Sequence, residues 1–351
     1  MGAYVIRRLL HLVAVMLVVS AVTFGLMRAV PGGPFAKEKP LPQDIIDNLN
    51  ERYHLDDPLI VQYGSYLYDV IIPRFTKEGP SNSVQEDYLI NINLGLGWFK
   101  WMNFGPSYIS KSRSVNDIFR EQLPVSFQLG IMALLIGISI GLPMGILAAL
   151  KQNTIFDYIG MAVAIFGVSV PVIVLGPILM FIFAVTLKWF PPTGWGAKPP
   201  FLLGLLPHSL GWDYFKYAIL PAFALGTGSS AIIARLARAT LLQVIREDYI
   251  RTARSKGLKE RLVVTQHALK NALIPVVTVL GPIFAAVVTG SFVTELIFGI
   301  PGMGRYFVTS ISNRDYPVIM GTILLYAILL VLANLAVDLV YAQLDPRIRY
   351  D

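Results

Sequence analysis

The chain has 351 residues, 55% of them hydrophobic and only 15% charged, a balance that excludes an ordinary soluble domain and predicts a polytopic membrane protein. The absence of cysteine excludes disulfides, thiolate zinc sites and iron–sulfur clusters, and the four histidines (His11, His54, His208, His267) are too dispersed for a helical metal pair. The formal charge of +7 would suit a nucleic-acid partner, but +4 of it falls in the single stretch 246–276, so membrane topology accounts for it better.

Crossing a hydrocarbon core of about 30 Å takes roughly 20 apolar residues in a helix. Six stretches qualify, near 9–30, 123–150, 156–187, 217–242, 275–297 and 318–344. The first follows Arg7 and Arg8 as a signal peptide would, but its apolar run Leu9–Met27 exceeds a secretory h-region, so it is expected to stay as an anchor. Six spans leave both termini on one side. The positive-inside rule makes that side cytoplasmic, together with the 246–276 loop, Arg347 and Arg349.

Residues 31–122 carry nine basic and twelve acidic residues and are expected outside. Helical and extended stretches, turn residues and the aromatics Trp98, Phe99, Trp101 and Phe104 make this segment a small lobe rather than a linker. Trp98 and Trp101 fit either a headgroup-level anchor or a partner surface.

In the second span Gly137, Gly141 and Gly145 recur every fourth residue, the pattern of a seam that lets a neighbouring helix approach. Pro143 lies within the same helix, Pro171 and Pro177 are expected to interrupt the third, and Gly226 with Gly228 to loosen the fourth. Arg235 and Arg238 fall near the inner end of the fourth span, Glu295 near the outer end of the fifth and Asp338 near the inner end of the sixth. All four are within snorkelling reach of an interface. Glu295 and Asp338 suit an interfacial role or a pathway role, and no central row of carboxylates suggests an ion relay.

The stretch 246–276 sets seven basic residues against three acids. Glu247 and Asp248 open a short helix that Arg254 and Lys256 close, an order that complements the helix dipole. Gly257 suits the left-handed residue that ends a helix, and a second helical segment runs from about Leu258 to Ala272. Thr252 and Ala253 would leave a slim patch for a partner's groove, with arginines around it for acidic residues there. A solvated basic loop is the plainer alternative. The chain has no GxxxxGK[ST] phosphate loop, HExxH, GxSxG or GxGxxG placed between strand and helix, so neither nucleotide binding nor hydrolytic catalysis is expected of it.

The loop resembles the EAA loop of ABC importer permeases. Aligned on Gly257, that pattern falls on Arg251, Thr252, Ala253, Gly257, His267, Leu269 and Lys270, with Arg251, His267 and Lys270 departing from its Glu, Ile and Pro. The forms IRTARSKGL and HALKNALIP are similar to the dipeptide and oligopeptide branch. So are PGGPF (31–35), YHLDDP (53–58), FGPSY (104–108), LPVSFQLG (123–130), AALKQNT (148–154), GIPGMG (299–304), NRDYP (313–317) and DPRIRY (345–350), which resemble its B-type subunit over nearly the whole chain. The stretch from about Ile71 to Asn103 is longer than is usual before FGPSY.

The resemblance implies an all-α type I ABC importer transmembrane fold. Its parts would be an N-terminal end and first helix (1–30), an extracytoplasmic lobe (31–122), a permease core (123–345) holding helices two to six and the coupling loop 243–274, and a cytoplasmic tail (346–351) in the inner membrane. It further implies a paralogous permease subunit, two cytoplasmic ABC ATPases that bind ATP and Mg, and an extracytoplasmic peptide-binding protein. Arg251, Thr252, Ala253, Arg254, Gly257 and Leu269 would couple to the ATPases, and this chain would have no catalytic, cofactor or metal site. Related importers carry peptides, glutathione, nickel chelates or oligosaccharides, and peptides are the expected cargo. An ion-coupled carrier or a membrane scaffold is the distant alternative.

Overall fold

A backbone deprived of water must satisfy its N–H and C=O groups within its own segment, and the apolar runs accordingly become helices. The computed structural model describes residues 2–35, 42–81, 83–110, 112–288 and 291–344. The helices α1 (Gly2–Ala29), α2 (Gln43–Arg52) and α3 (Leu59–Ile71) lead to the strands β1 (Arg74–Thr76), β2 (Ile90–Asn93) and β3 (Trp98–Trp101). Then come α4 (Val115–Leu150), α5 (Ile155–Ser169), α6 (Val172–Leu179, continuing as a π-helical turn Met180–Thr186) and α7 (Trp212–Val244). The remainder is α8 (Asp248–Ser255), α9 (Glu260–Leu262), a π-helical turn (Val263–Ala268), α10 (Leu269–Ala272), α11 (Ile274–Val288), α12 (Phe292–Ile297), α13 (Met303–Asn313) and α14 (Tyr316–Leu344). The tail 346–351, with Arg347 and Arg349, lies outside the described residues.

By length and composition, Leu10–Ala29, Val115–Leu150, Trp212–Val244, Ile274–Ile297 and Tyr316–Asp338 can cross a membrane. Ile155–Ser169 and Val172–Thr186 make a sixth span if taken as one, but they meet at 103°. The break has a local cause: a residue before proline is driven from the helical region, and Val170 before Pro171 is extended at φ −94°, ψ 107°. Pro177, expected to interrupt this span, is instead held inside α6. The second span also begins earlier than its apolar run. Ser114 Oγ accepts from the Asp117 N–H at 2.9 Å while Asp117 Oδ2 accepts from the Ser114 N–H at 3.1 Å, a reciprocal cap that starts α4 at Val115 and carries it through Pro124.

The chain divides into two compact units, one comprising Met1–His11, Pro124–Gly304 and Ile328–Asp351, the other Leu12–Leu123 and Arg305–Ala327. In the first, α4 and α7 meet along glycine. A Cβ on Gly141 would stand 2.4 Å from the Ser230 carbonyl oxygen, and one on Gly145 2.5 Å from that of Ala234. Gly137 faces Ser229, and Gly226 returns the contact with a Cβ position 2.6 Å from the Ala133 carbonyl. Side chains there would force the backbones apart. Leu129, Ala218, Ala222, Ala224 and Phe298 form the main core beside this seam.

The second unit holds the lobe together with most of α1, α13 and the start of α14. Its sheet has the order β1-β3-β2, antiparallel throughout, with Phe75 opposite Phe99 and Ile92 opposite Phe99 on the other edge. The aromatic cluster serves this unit: Trp101 Nε1 donates to the Ile71 carbonyl at 2.9 Å, and Phe104 is buried edge-on against Phe119. The motifs FGPSY and NRDYP meet here, because Asp315 accepts from Ser107 Oγ at 2.5 Å and from the Tyr108 N–H at 3.0 Å.

Candidate functional site

The basic stretch folds as a helix, a glycine turn and a second helix. Glu247 caps α8 from an extended conformation, and Asp248 stands in its first turn, where a carboxylate meets the positive end of the helix dipole. The turn is made by Gly257 at φ +75°, whose N–H bonds to the Arg254 carbonyl at 2.9 Å. No atom lies within 4 Å of a Cβ built there, so backbone conformation alone calls for glycine. Beyond it, helical structure starts at Glu260 rather than Leu258 and passes through the π-helical turn to Ala272.

The two faces of α8 differ sharply. Ile250 and Ala253 are buried with Ala149, Leu241, Val263, Ala268 and Ala272, and Leu269 packs against the same cluster. The slim patch expected at Thr252 and Ala253 is therefore split: Thr252 is exposed, whereas Ala253 faces the chain's own core. Burial of these apolar side chains at about 25 cal/mol per Å² fixes α8 to the ends of α4 and α7 and to the segment Val263–Ala272. Thr240 Oγ1 of α7 lies 2.8 Å from the Ala272 carbonyl and ties the end of α10 to α7.

The exposed face is cationic. Arg251 keeps 72% of its side chain in solvent and lies 3.5 Å from Asp248, which is itself exposed. Arg254 bends over the glycine turn and binds Glu260 through two hydrogen bonds, of 2.6 and 3.0 Å. The Arg254 guanidinium holds the Glu260 carboxyl below the usual carboxylate range, chiefly through these bonds.

Glu295 does not snorkel. It is 1% exposed on α12, where its Oε1 accepts from Ser126 Oγ at 2.7 Å, and Ser126 Oγ accepts in turn from the Met303 N–H at 2.7 Å. The loop GIPGMG covers the carboxylate so closely that a Cβ on Gly302 would lie 2.4 Å from the Glu295 carboxyl carbon. A buried carboxylate needs such polar neighbours. Asp338 is half-buried on α14, and Arg235 is exposed on α7.

Arg238 also departs from the snorkelling expectation. Its Nε and Nη2 donate to the two carboxylate oxygens of Asp157 at 2.6 and 2.7 Å, and Asp157 is 3% exposed. Asp157 Oδ2 further accepts the Asn153 N–H at 3.0 Å. The sequence reading missed Asp157, although a carboxylate four residues from Met161 in an apolar run was a signal that a cation had to face it. The same reading missed Ser126 and Asp315, whose partners are remote in sequence.

Helices of spanning length, a basic loop of two helices about a glycine turn and a buried ion pair between α5 and α7 define a multi-pass membrane component. Residues 141–350 match the family described as binding-protein-dependent transport system inner membrane component, and residues 1–84 match the N-terminal domain of that family. The chain belongs to this family, whose members are permease subunits of ABC importers. It is 42% identical over 349 residues to the dipeptide transport system permease protein DppB of Bacillus subtilis, covering 99% of this chain and 98% of that protein. It is 38% identical over 347 residues to the oligopeptide transport system permease protein OppB of Salmonella typhimurium, covering 99% of each. Among solved structures it aligns with a chain of the inward-facing MetNI methionine ABC transporter, at a TM-score of 0.48 and 20% identity over 64% of this chain and 94% of that one.

Proposed function

We propose that the chain is one permease half of an ATP-driven, binding-protein-dependent importer of dipeptides and oligopeptides. The observation that carries this reading is its end-to-end similarity to a dipeptide permease, 42% identity over 99% of the chain. A paralogous permease subunit completes the pathway, two cytoplasmic ABC ATPases bind ATP and Mg, and an extracytoplasmic binding protein delivers the peptide. Both termini and the loop 243–274 are cytoplasmic and the lobe 31–122 is outside, a topology supported by the charge asymmetry between loop and lobe.

In this reading Arg251, Thr252 and Arg254 meet the ATPase, and Gly257 keeps α8 at a fixed angle to the helix that follows. Ala253 and Leu269 anchor α8 to the rest of the permease, so displacement of α8 by closing ATPases moves α7 directly and α11 through α10, which precedes it in the chain; the buried cluster shared by α7, α8 and α10 supports this. The seam of Gly137, Gly141 and Gly145 packs the moving helices, and Glu295 and Asp338 act in gating. Uptake of labelled tri- to pentapeptides by cells with and without the gene tests the proposal. Loss of uptake on deletion, with competition only by unlabelled peptides, is expected. Unchanged uptake in a strain with no other peptide system would overturn it.

A further inference from the structure

Within the second unit, where α1 and the start of α14 meet the lobe, a cavity of about 530 Å³ is lined by Phe24, Arg28, Gln62, Tyr66, Tyr108 and Tyr316, among others, a volume in the range of small-ligand sites. Among the described residues, four buried side-chain polar atoms lack a hydrogen-bond partner, and two of them, Arg28 Nε and the Tyr66 hydroxyl, belong to residues of this one cavity. A buried donor left unpaired keeps its full desolvation cost, which makes an occupant that accepts hydrogen bonds favourable here.

The cation is held in place by neutral groups. Arg28 Nη2 donates to Gln62 Oε1, and the guanidinium carbon lies 5.4 Å from the Phe24 ring centroid and 5.6 Å from that of Tyr316. Gln62 is itself fixed, since its Nε2 donates to the Leu55 and Asp57 carbonyls at 2.8 and 2.7 Å. The acids of the lining are directed elsewhere: Asp69 binds Arg74 at 2.5 Å, and Asp57 lies 3.9 Å from His54. Burial raises the Tyr66 hydroxyl above its ordinary value, so it stays a donor at neutral pH.

We propose that this cavity is a binding site for the carboxylate of a small molecule, which would accept hydrogen bonds from Arg28 Nε and the Tyr66 hydroxyl against the rings of Tyr108 and Tyr316. A free organic acid and the C-terminus of a short peptide present the same group. The site stands apart from the proposed import activity, because the observations that carry it lie within the second unit alone and do not involve the coupling loop.

The test is calorimetric titration of the assembled transporter in nanodiscs, without binding protein or nucleotide, using trialanine, its C-terminal amide and succinate. Trialanine or succinate should bind, the amide at least tenfold more weakly, and Tyr66→Phe and Arg28→Gln should each weaken binding about tenfold, the loss of one charge-assisted hydrogen bond. Mutual competition would assign the site to both sources, and binding of only one would assign it to that source. Absence of binding by both carboxylates would overturn the proposal. So would binding that is unchanged in Tyr66→Phe, a variant that keeps the ring and whose assembly is checked by gel filtration.

Discussion

Ser107 and Asp315, separated by 208 positions in the chain, are joined by a hydrogen bond of 2.5 Å. The bond closes the lobe unit, since Asp315 also receives the Tyr108 N–H and Ser107 Oγ accepts the N–H groups of Ile109 and Ser110. Two short motifs that look independent in the sequence are thus the halves of one clasp.

The clasp makes a pH prediction. Burial raises the Asp315 carboxyl above its ordinary value, outweighing the hydrogen bonds that lower it. An acid raised on folding stabilises the fold fully below its unfolded value near 4, and that contribution is lost as pH rises through the folded value. Unfolding of the lobe, followed in nanodiscs by hydrogen exchange, should show a decline in stability over this interval. Asp315→Asn should flatten it, and an unaltered slope in that variant would exclude Asp315 as its source.

Asp157 and Arg238 allow a double-mutant cycle. Asp157→Ala alone should destabilise the chain by about 3–5 kcal/mol, because it leaves a half-buried guanidinium without its partner. The pair replaced together by apolar residues of similar size should lose much less. Thermal unfolding in detergent measures both, and additive losses would mean the two side chains are not coupled.

Gly257 separates backbone conformation from packing. Valine at φ +75° is strained by roughly 1–2 kcal/mol or more, whereas asparagine tolerates the left-handed region. With open space around the position, Gly257→Val should impair peptide uptake at normal protein levels while Gly257→Asn largely retains it. Equal uptake by both variants would count against any coupling role for this turn.

The glycine seam can be probed against an internal control. Gly141→Ala sets a methyl 2.4 Å from the Ser230 carbonyl and should cost about 1–3 kcal/mol in overpacking. Gly228→Ala on α7 meets nothing within 4 Å and should be neutral or stabilising by up to about 1 kcal/mol. Thermal stability of the two purified variants checks the order, and a Gly141→Ala protein as stable as the parent would mean that α4 and α7 are less closely packed than described.

Much of the architecture was legible because it depends on composition and period. Long apolar runs gave the spanning helices, and Gly257 after Lys256 marked the end of α8. The bend at Pro171 was visible as a proline, but its angle was not. The orientation of Ala253 was misread, because a short basic helix looks solvated on every side until the Ala149, Leu241 and Val263 cluster is placed beneath it.

The sequence by itself determined where the apolar spans lie, that the third breaks at Pro171 and which loop carries the positive charge, since each of these follows from local dihedral preference, hydropathy and charge. Only the tertiary structure decided which buried charges are satisfied and by what. Glu295 meets Ser126 across 169 positions, Asp157 meets Arg238 across 81, and Asp315 meets Ser107 across 208. The physical reason is that desolvation compels a buried carboxylate to find a donor, but does not specify where in the chain that donor stands.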